Sequence, residues 1–279
     1  MSKKTSGNIA IFIFVVVISG WAGVIVDSLL PGQPKGESPG MGIWLVLPML
    51  TAIAIILFSK ISWKEIGFKT NFKGNIKWYI SSVFIFPLVT AVILITGAAA
   101  KWIDLSELYL KPFILAFCST LIINFIKNIF EETVWRGYLT SQLVKLNLDD
   151  WKIYLIVGSV WGIWHIPYYL VFLPEADIQM VLPVSRLMFA LAAVITMIFW
   201  SVMYIELFRI TRSIWPCVIL HMVEDSLINP LVISGYISIA SGKEILVSPI
   251  IGVFTSILYL AAGLGIRRYR KQTTGLTAG

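Results

Sequence analysis

The stretch KPFILAFCSTLIINFIKNIFEETVWRGYLTSQLVK, residues 111–145, decides the fold. It starts as an apolar run of the length that crosses about 30 Å of hydrocarbon as a helix. Glu131, Glu132 and Arg136 then follow. A span that ended at Glu131 would leave both acids at the membrane surface. His165 follows Lys152 by 13 residues, so at about 1.5 Å per residue it sits roughly 20 Å up its own helix. The depths match only if the first helix runs on to Lys145, which puts Glu131 14 residues from that basic anchor and again roughly 20 Å deep. Lys111 to Lys145 is too long for a straight span, so a tilt or a kink near Gly137 is expected. Glu132 and Arg136 are four apart, share a face and can pair, while Glu131 points about 100° away.

The rest of the chain has the same character. Of 279 residues, 58% are hydrophobic and 13% charged, against about 25% charged in soluble domains. Apolar runs of span length recur, and in lipid every backbone group must be satisfied internally, so helices are expected. The runs do not alternate as the strands of a membrane barrel would. The expectation is an all-α polytopic membrane bundle of about eight transmembrane helices, over about 8–28, 42–59, 78–99, 112–135, 152–173, 186–207, 213–232 and 246–266. The first is too long for the apolar core of a signal peptide and reads as a retained span. One domain covers 1–279, with a motif core at about 112–232 and flexible tails at 1–7 and 271–279.

Lysine and arginine set the orientation. One set of alternate loops holds Lys3 and Lys4, the lysines between 60 and 77, Arg136, Lys145 and Lys152, Arg209 and Arg212, and the cluster Arg267 to Lys271. The other holds only Lys35, Lys101, Lys111, Arg186 and Lys243. Both termini are therefore expected in the cytoplasm. The net charge of +7 follows from this topology, and no nucleic-acid partner is needed to explain it. Segment 59–79 mixes lysines with Trp63, Phe68, Phe72 and Trp78 and reads as a cytoplasmic interfacial anchor, with substrate docking as the alternative. Cys118 and Cys217 fall at different depths, which argues against a disulfide.

Ionisable groups inside spans are costly, and usually functional or paired. They are Lys127, Glu131, Glu132, Arg136, His165, Glu206, His221, Glu224 and Asp225, with Asn229 as a polar neighbour. Both histidines of the chain are among them. His221 and Asp225 share a face that continues to Asn229. The matched depths predict a polar cavity opening to the cytoplasm. A carboxylate and a histidine can take a proton from water so that hydroxide attacks a carbonyl. A second histidine can then steady the oxyanion. Alternatively Glu131, His165 and His221 form a zinc ligand set with water in the open position. Both schemes hydrolyse an amide without a covalent intermediate, and both stay open at this stage. H-E-x-x-H, G-x-S-x-G, P-loop and G-x-G-x-x-G motifs are absent. A proton- or ion-coupled transporter also uses buried acids and histidines, but no inverted repeat supports one.

Three short motifs occur in order: EETVWR at 131–136, WGIWH at 161–165 and HMVED at 221–225. Together they resemble the type II CAAX prenyl protease family, also called CPBP or Abi intramembrane proteases, over about residues 125–232. Trp161 stands where the family usually has Phe. The resemblance implies an intramembrane endopeptidase working on a peptide or lipidated protein among membrane lipids. Glu131 would be the general base and His165 would assist and orient the water. His221 and Asp225 would form the oxyanion pair, while Glu132 and Arg136 would hold the catalytic helix. The family often has Asn where this chain has Asp225, and an ionised Asp has no hydrogen to donate. Asp225 would then orient His221, or carry a proton itself. A non-catalytic scaffold or immunity partner that keeps the polar site for binding is the rival reading. The motifs say nothing of oligomeric state.

Overall fold

The computed structural model describes residues 2–30, 32 and 38–273. The chain opens with α1 (Ser2–Leu29), α2 (Pro39–Phe58), the single turn α3 (Trp63–Ile66) and α4 (Ile76–Ala99). A two-residue strand β1 (Ile103–Asp104) precedes α5 (Leu110–Glu132), which passes without a break into π-helix at Thr133–Thr140 and ends as α6 (Ser141–Lys145). Next, α7 (Asp150–Pro167) ends in a π-helical turn, Tyr168–Phe172. There follow α8 (Glu175–Val181), α9 (Arg186–Thr211), α10 (Trp215–Ile233), β2 (Ser238–Ile239), α11 (Glu244–Val247) and α12 (Val253–Thr273).

Among the described residues, seven helical stretches are long and apolar enough to cross a membrane. Leu110–Lys145 counts as one of them. The protein is an integral membrane protein built as a polytopic helical bundle. The eighth expected span, 246–266, is not among the seven. Residues 248–252 are not helical, and α12 starts at Val253 and soon meets Arg267, Arg268 and Arg270. Of the expected tails, residues 2–7 form the first turns of α1 and 271–273 the last turn of α12. Residues 1 and 274–279, and the loop lysine Lys35, lie outside the described residues. Both cysteines are free, Cys118 exposed and Cys217 buried.

Around Gly137 the long helix departs from α-helical geometry, and by a specific device. Eight residues of π-helix widen the turn there, an irregularity that is rare and frequently found at functional sites. Every residue from 131 to 143 is buried. Gly137 is required, because a Cβ at that position would come 2.8 Å from Ile66 Cγ2. Segment 59–79 is therefore more than an anchor. Ser62 caps α3, Gly67 ends it in the left-handed region at φ 77°, and the fully buried Ile66 is pressed against the π-helix.

The bundle has two distinct ends. At one, Ile214 N donates to Gly67 O at 2.9 Å and Asn71 Nδ2 to Arg212 O at 3.0 Å. Lys145 pairs with Glu65, and Arg209 and Arg267 converge on Asp150. This basic end gathers the lysine- and arginine-rich loops. At the other, β1 pairs antiparallel with β2, and Ala240 N donates to Trp102 O at 2.8 Å. A separate apolar cluster that includes Ile103, Leu173, Ile178, Val181, Phe189 and Ile251 packs at this β end. Between the ends, α7 lies close on α9, since Cβ atoms at Gly158 and Gly162 would strike the backbone of Ile198 and Val194 at 2.5 and 2.8 Å. Small residues four apart are how membrane helices approach closely, and here they fix the helix that carries Trp161 and His165.

Candidate active site

α5 packs along α10, and α7 packs on the π-helix that continues α5. Their polar faces meet in one cavity of about 400 Å³, lined by Glu131, His165, His221 and Asp225 among others. The Glu131 carboxylate is buried. Its Oε2 lies 3.4 Å from the indole N–H groups of both Trp135 and Trp161, and its Oε1 3.5 Å from Lys127 Nζ. Trp135 is one helical turn from Glu131, and Trp161 is delivered by α7, so two helices together aim donors at one carboxylate.

His165 is half-buried and stacks on Tyr169, with ring centroids 5.7 Å apart. Its Nδ1 lies 2.9 Å from Trp161 O. A carbonyl oxygen only accepts, so Nδ1 carries the proton, and in the neutral ring Nε2 is left as an acceptor.

Glu132 and Arg136 are fully buried. Glu132 Oε1 takes Arg136 Nη1 at 3.0 Å and His221 Nδ1 at 2.8 Å, which ties α5 to α10. The guanidinium is held between the Trp161 and Tyr204 rings, 4.3 and 4.1 Å from their centroids. With Nδ1–H given to Glu132, His221 presents Nε2 toward the cavity, where Glu224 Oε2 and Asp225 Oδ2 lie 3.6 and 3.9 Å away.

Asp225 is surrounded by donors. Lys127 Nζ and Asn128 Nδ2 reach its Oδ2 at 2.8 and 2.7 Å, and Asn229 Nδ2 reaches Oδ1 at 3.3 Å. Both oxygens accept, so Asp225 is placed to hold Lys127 rather than to donate to a substrate.

Residues 112–227 match the Rce1-like family of type II CAAX prenyl endopeptidases. This is the family that the three motifs resemble. The match points to a CAAX-type intramembrane protease, and such proteases act on prenylated proteins in membranes. A comparison with curated proteins gives no match. The Rce1-like segment runs from α5 into α10 and contains all four cavity residues named above.

Other acids fall outside that centre. Glu206, although buried in a span, sits at the basic end, bonded to Tyr154 and Arg270 and 3.3 Å from Arg209. Asp177, on α8, lines the cavity at its β end, and burial pushes its carboxyl above the usual range.

The zinc set expected from sequence, Glu131, His165 and His221, is not the one whose ligand atoms cluster. His221, Glu224 and Asp225 offer atoms within 4.8 Å of one another. The Lys127 ammonium already stands 2.8 Å from that cluster's Asp225 and 3.5 Å from Glu131. A cation-rich neighbour of this kind opposes a divalent ion, so the residues present do not fit zinc well.

From the sequence, Lys127 and Glu224 are buried charges without an assigned role, and Trp135 and Asn128 carry none at all. Helical spacing carried the missing signal: Trp135 is four residues after Glu131, and Asn128 four before Glu132.

Proposed function

We propose that this protein hydrolyses a peptide bond within the membrane, using a water molecule activated by Glu131 and His165. The observation that carries the reading is that Glu131 on α5 and His165 on α7 line one cavity, with His165 Nε2 left free to accept. Water held between them gives a proton to the Glu131 carboxylate, and the hydroxide attacks the carbonyl carbon. The C=O π pair moves to oxygen, and His221 Nε2, when it carries a proton, donates to the resulting oxyanion. On collapse the C–N bond breaks, and the proton on Glu131 passes to the leaving nitrogen. Glu132 positions His221 by accepting from Nδ1, while Arg136 and the Trp161 and Tyr204 rings hold Glu132.

In this reading Asp225 acts through Lys127 and no metal takes part. Both termini are placed in the cytoplasm by the lysine and arginine asymmetry. The substrate is a peptide or lipidated protein segment that enters the cavity. Peptide profiling of membranes holding wild type or Glu131→Gln tests it. Cleavage products found only with the wild type are expected, and identical profiles from membranes that hold equal amounts of the two folded proteins would refute the peptidase reading.

A further inference from the structure

Glu224 is the acid at the centre that the water scheme leaves unused. It lies on α10, one residue before Asp225, and lines the cavity although only 6% of it is exposed. Among the described residues it makes no hydrogen bond and forms no ion pair with a lysine or arginine. His221 Nε2, 3.6 Å from its Oε2, lies beyond hydrogen-bond reach.

The cations nearby are already engaged. Arg136 serves Glu132 at 3.0 Å, and Lys127 is shared by Asp225 and Glu131 at 2.8 and 3.5 Å. Four carboxylates, Glu131, Glu132, Glu224 and Asp225, thus stand against two fixed cations, and a charged His221 would still leave one negative charge uncompensated. Asp177 lines the same cavity from α8 and is also unpaired among the described residues. Buried negative charge without a partner is costly, so the cavity favours an occupant that brings a cation. Its wall suits one. Trp44, Tyr168, Tyr169 and Trp200 line it, and aromatic faces attract cations and cover the apolar stem of lysine or arginine.

We propose that Glu224 is a substrate-binding residue that accepts a hydrogen bond from a lysine or arginine side chain of the peptide. His221 Nε2 is the atom that faces the oxyanion in the water scheme, and Glu224 stands 3.6 Å from it. The basic residue therefore lies one or two residues from the bond that breaks. The substrate class is a peptide with a positive charge beside its cleavage site. This inference rests on the peptidase reading for the cleavage itself, and adds to it which peptides are cut.

The test takes purified full-length wild type and Glu224→Gln, a library of synthetic peptides of varied sequence, and mass spectrometry to locate each cleaved bond. Lysine and arginine are expected to be enriched within two residues of the bonds that the wild type cuts. A cut peptide is then remade with norleucine, which keeps the lysine stem and drops the charge. For the wild type, kcat/KM should fall about 10–100-fold, as expected for one hydrogen bond between charged groups. For Glu224→Gln the same change should cost about threefold at most, since the charged acceptor is already gone. Cleavage without basic enrichment, as a protonated and donating Glu224 would give, overturns the inference and leaves the peptidase reading standing. An equal norleucine penalty in both proteins does the same. Should Glu224→Gln fail to fold, the wild type alone still decides, because an unchanged kcat/KM on the norleucine peptide is enough to overturn the inference. No cleavage of any peptide by the wild type would end both readings.

Discussion

Lys127 Nζ stands between two carboxylates, 2.8 Å from Asp225 Oδ2 and 3.5 Å from Glu131 Oε1. It is the cation that lets two acids face one cavity inside a membrane. Removing one partner of a buried pair leaves the other uncompensated, at about 3–5 kcal/mol when burial is complete. Lys127 is 31% exposed, so the expected cost of Lys127→Met is smaller, about 1–3 kcal/mol. Asp225→Asn in the same chain removes the orphaned charge and should recover more than half of that loss. Thermal unfolding of the two single variants and the double variant in detergent measures the coupling, and simple additivity would contradict the shared-cation arrangement.

The catalytic roles predict a distinct kinetic pattern. Loss of a general base costs about 10²–10⁴-fold in rate, so Glu131→Gln and His165→Ala should each lower kcat by that order. His221→Ala should cost about 10²–10³-fold as an oxyanion donor is lost. Groups that act on one water are not additive, so Glu131→Gln combined with His165→Ala should be little slower than the slower single variant. Initial rates on a cleaved peptide decide this, and multiplicative losses would show that the two act on separate steps.

Chelation separates the water scheme from the zinc scheme. The Lys127 ammonium beside Asp225 and Glu131 leads us to expect that activity survives treatment with a strong zinc chelator and dialysis to metal-free protein. Activity that vanishes and returns on adding zinc would reinstate Glu131, His165 and His221, or the His221, Glu224 and Asp225 cluster, as ligands.

Much of this was legible from the sequence, for physical reasons that also explain what was not. Span length and the lysine pattern are properties of single segments, so the bundle and its basic end could be read directly. The depth match between Glu131 and His165 is simple helix arithmetic, and it led to the long helix and to an irregularity near Gly137, which is the π-helix Thr133–Thr140. Pairwise partners across helices carry no such periodic mark. Nothing local says that Glu132 serves His221 as well as Arg136. Likewise nothing shows that the tail arginines do more than stop translocation. In the structure Arg267 and Arg270 reach Asp150, and Arg270 also reaches Glu206.

The notch at Gly137 gives a prediction whose sign depends on background. In an ordinary helix, Gly→Ala is favourable by about 1 kcal/mol through backbone entropy. Here the new Cβ would lie 2.8 Å from Ile66 Cγ2 and 3.2 Å from Ile66 O, and overpacking of this kind costs about 1–3 kcal/mol. Gly137→Ala is therefore expected to destabilise the wild-type protein and to reduce activity, because the same π-helix follows directly on Glu131 and Glu132. Ile66→Ala alone should cost about 2–5 kcal/mol by opening a cavity. In that background the Cγ2 clash is gone, so adding Gly137→Ala should be neutral or stabilising. Thermal unfolding of the four proteins checks it: a Gly137→Ala penalty of the same size in both backgrounds would mean that Ile66 is not what the glycine makes room for.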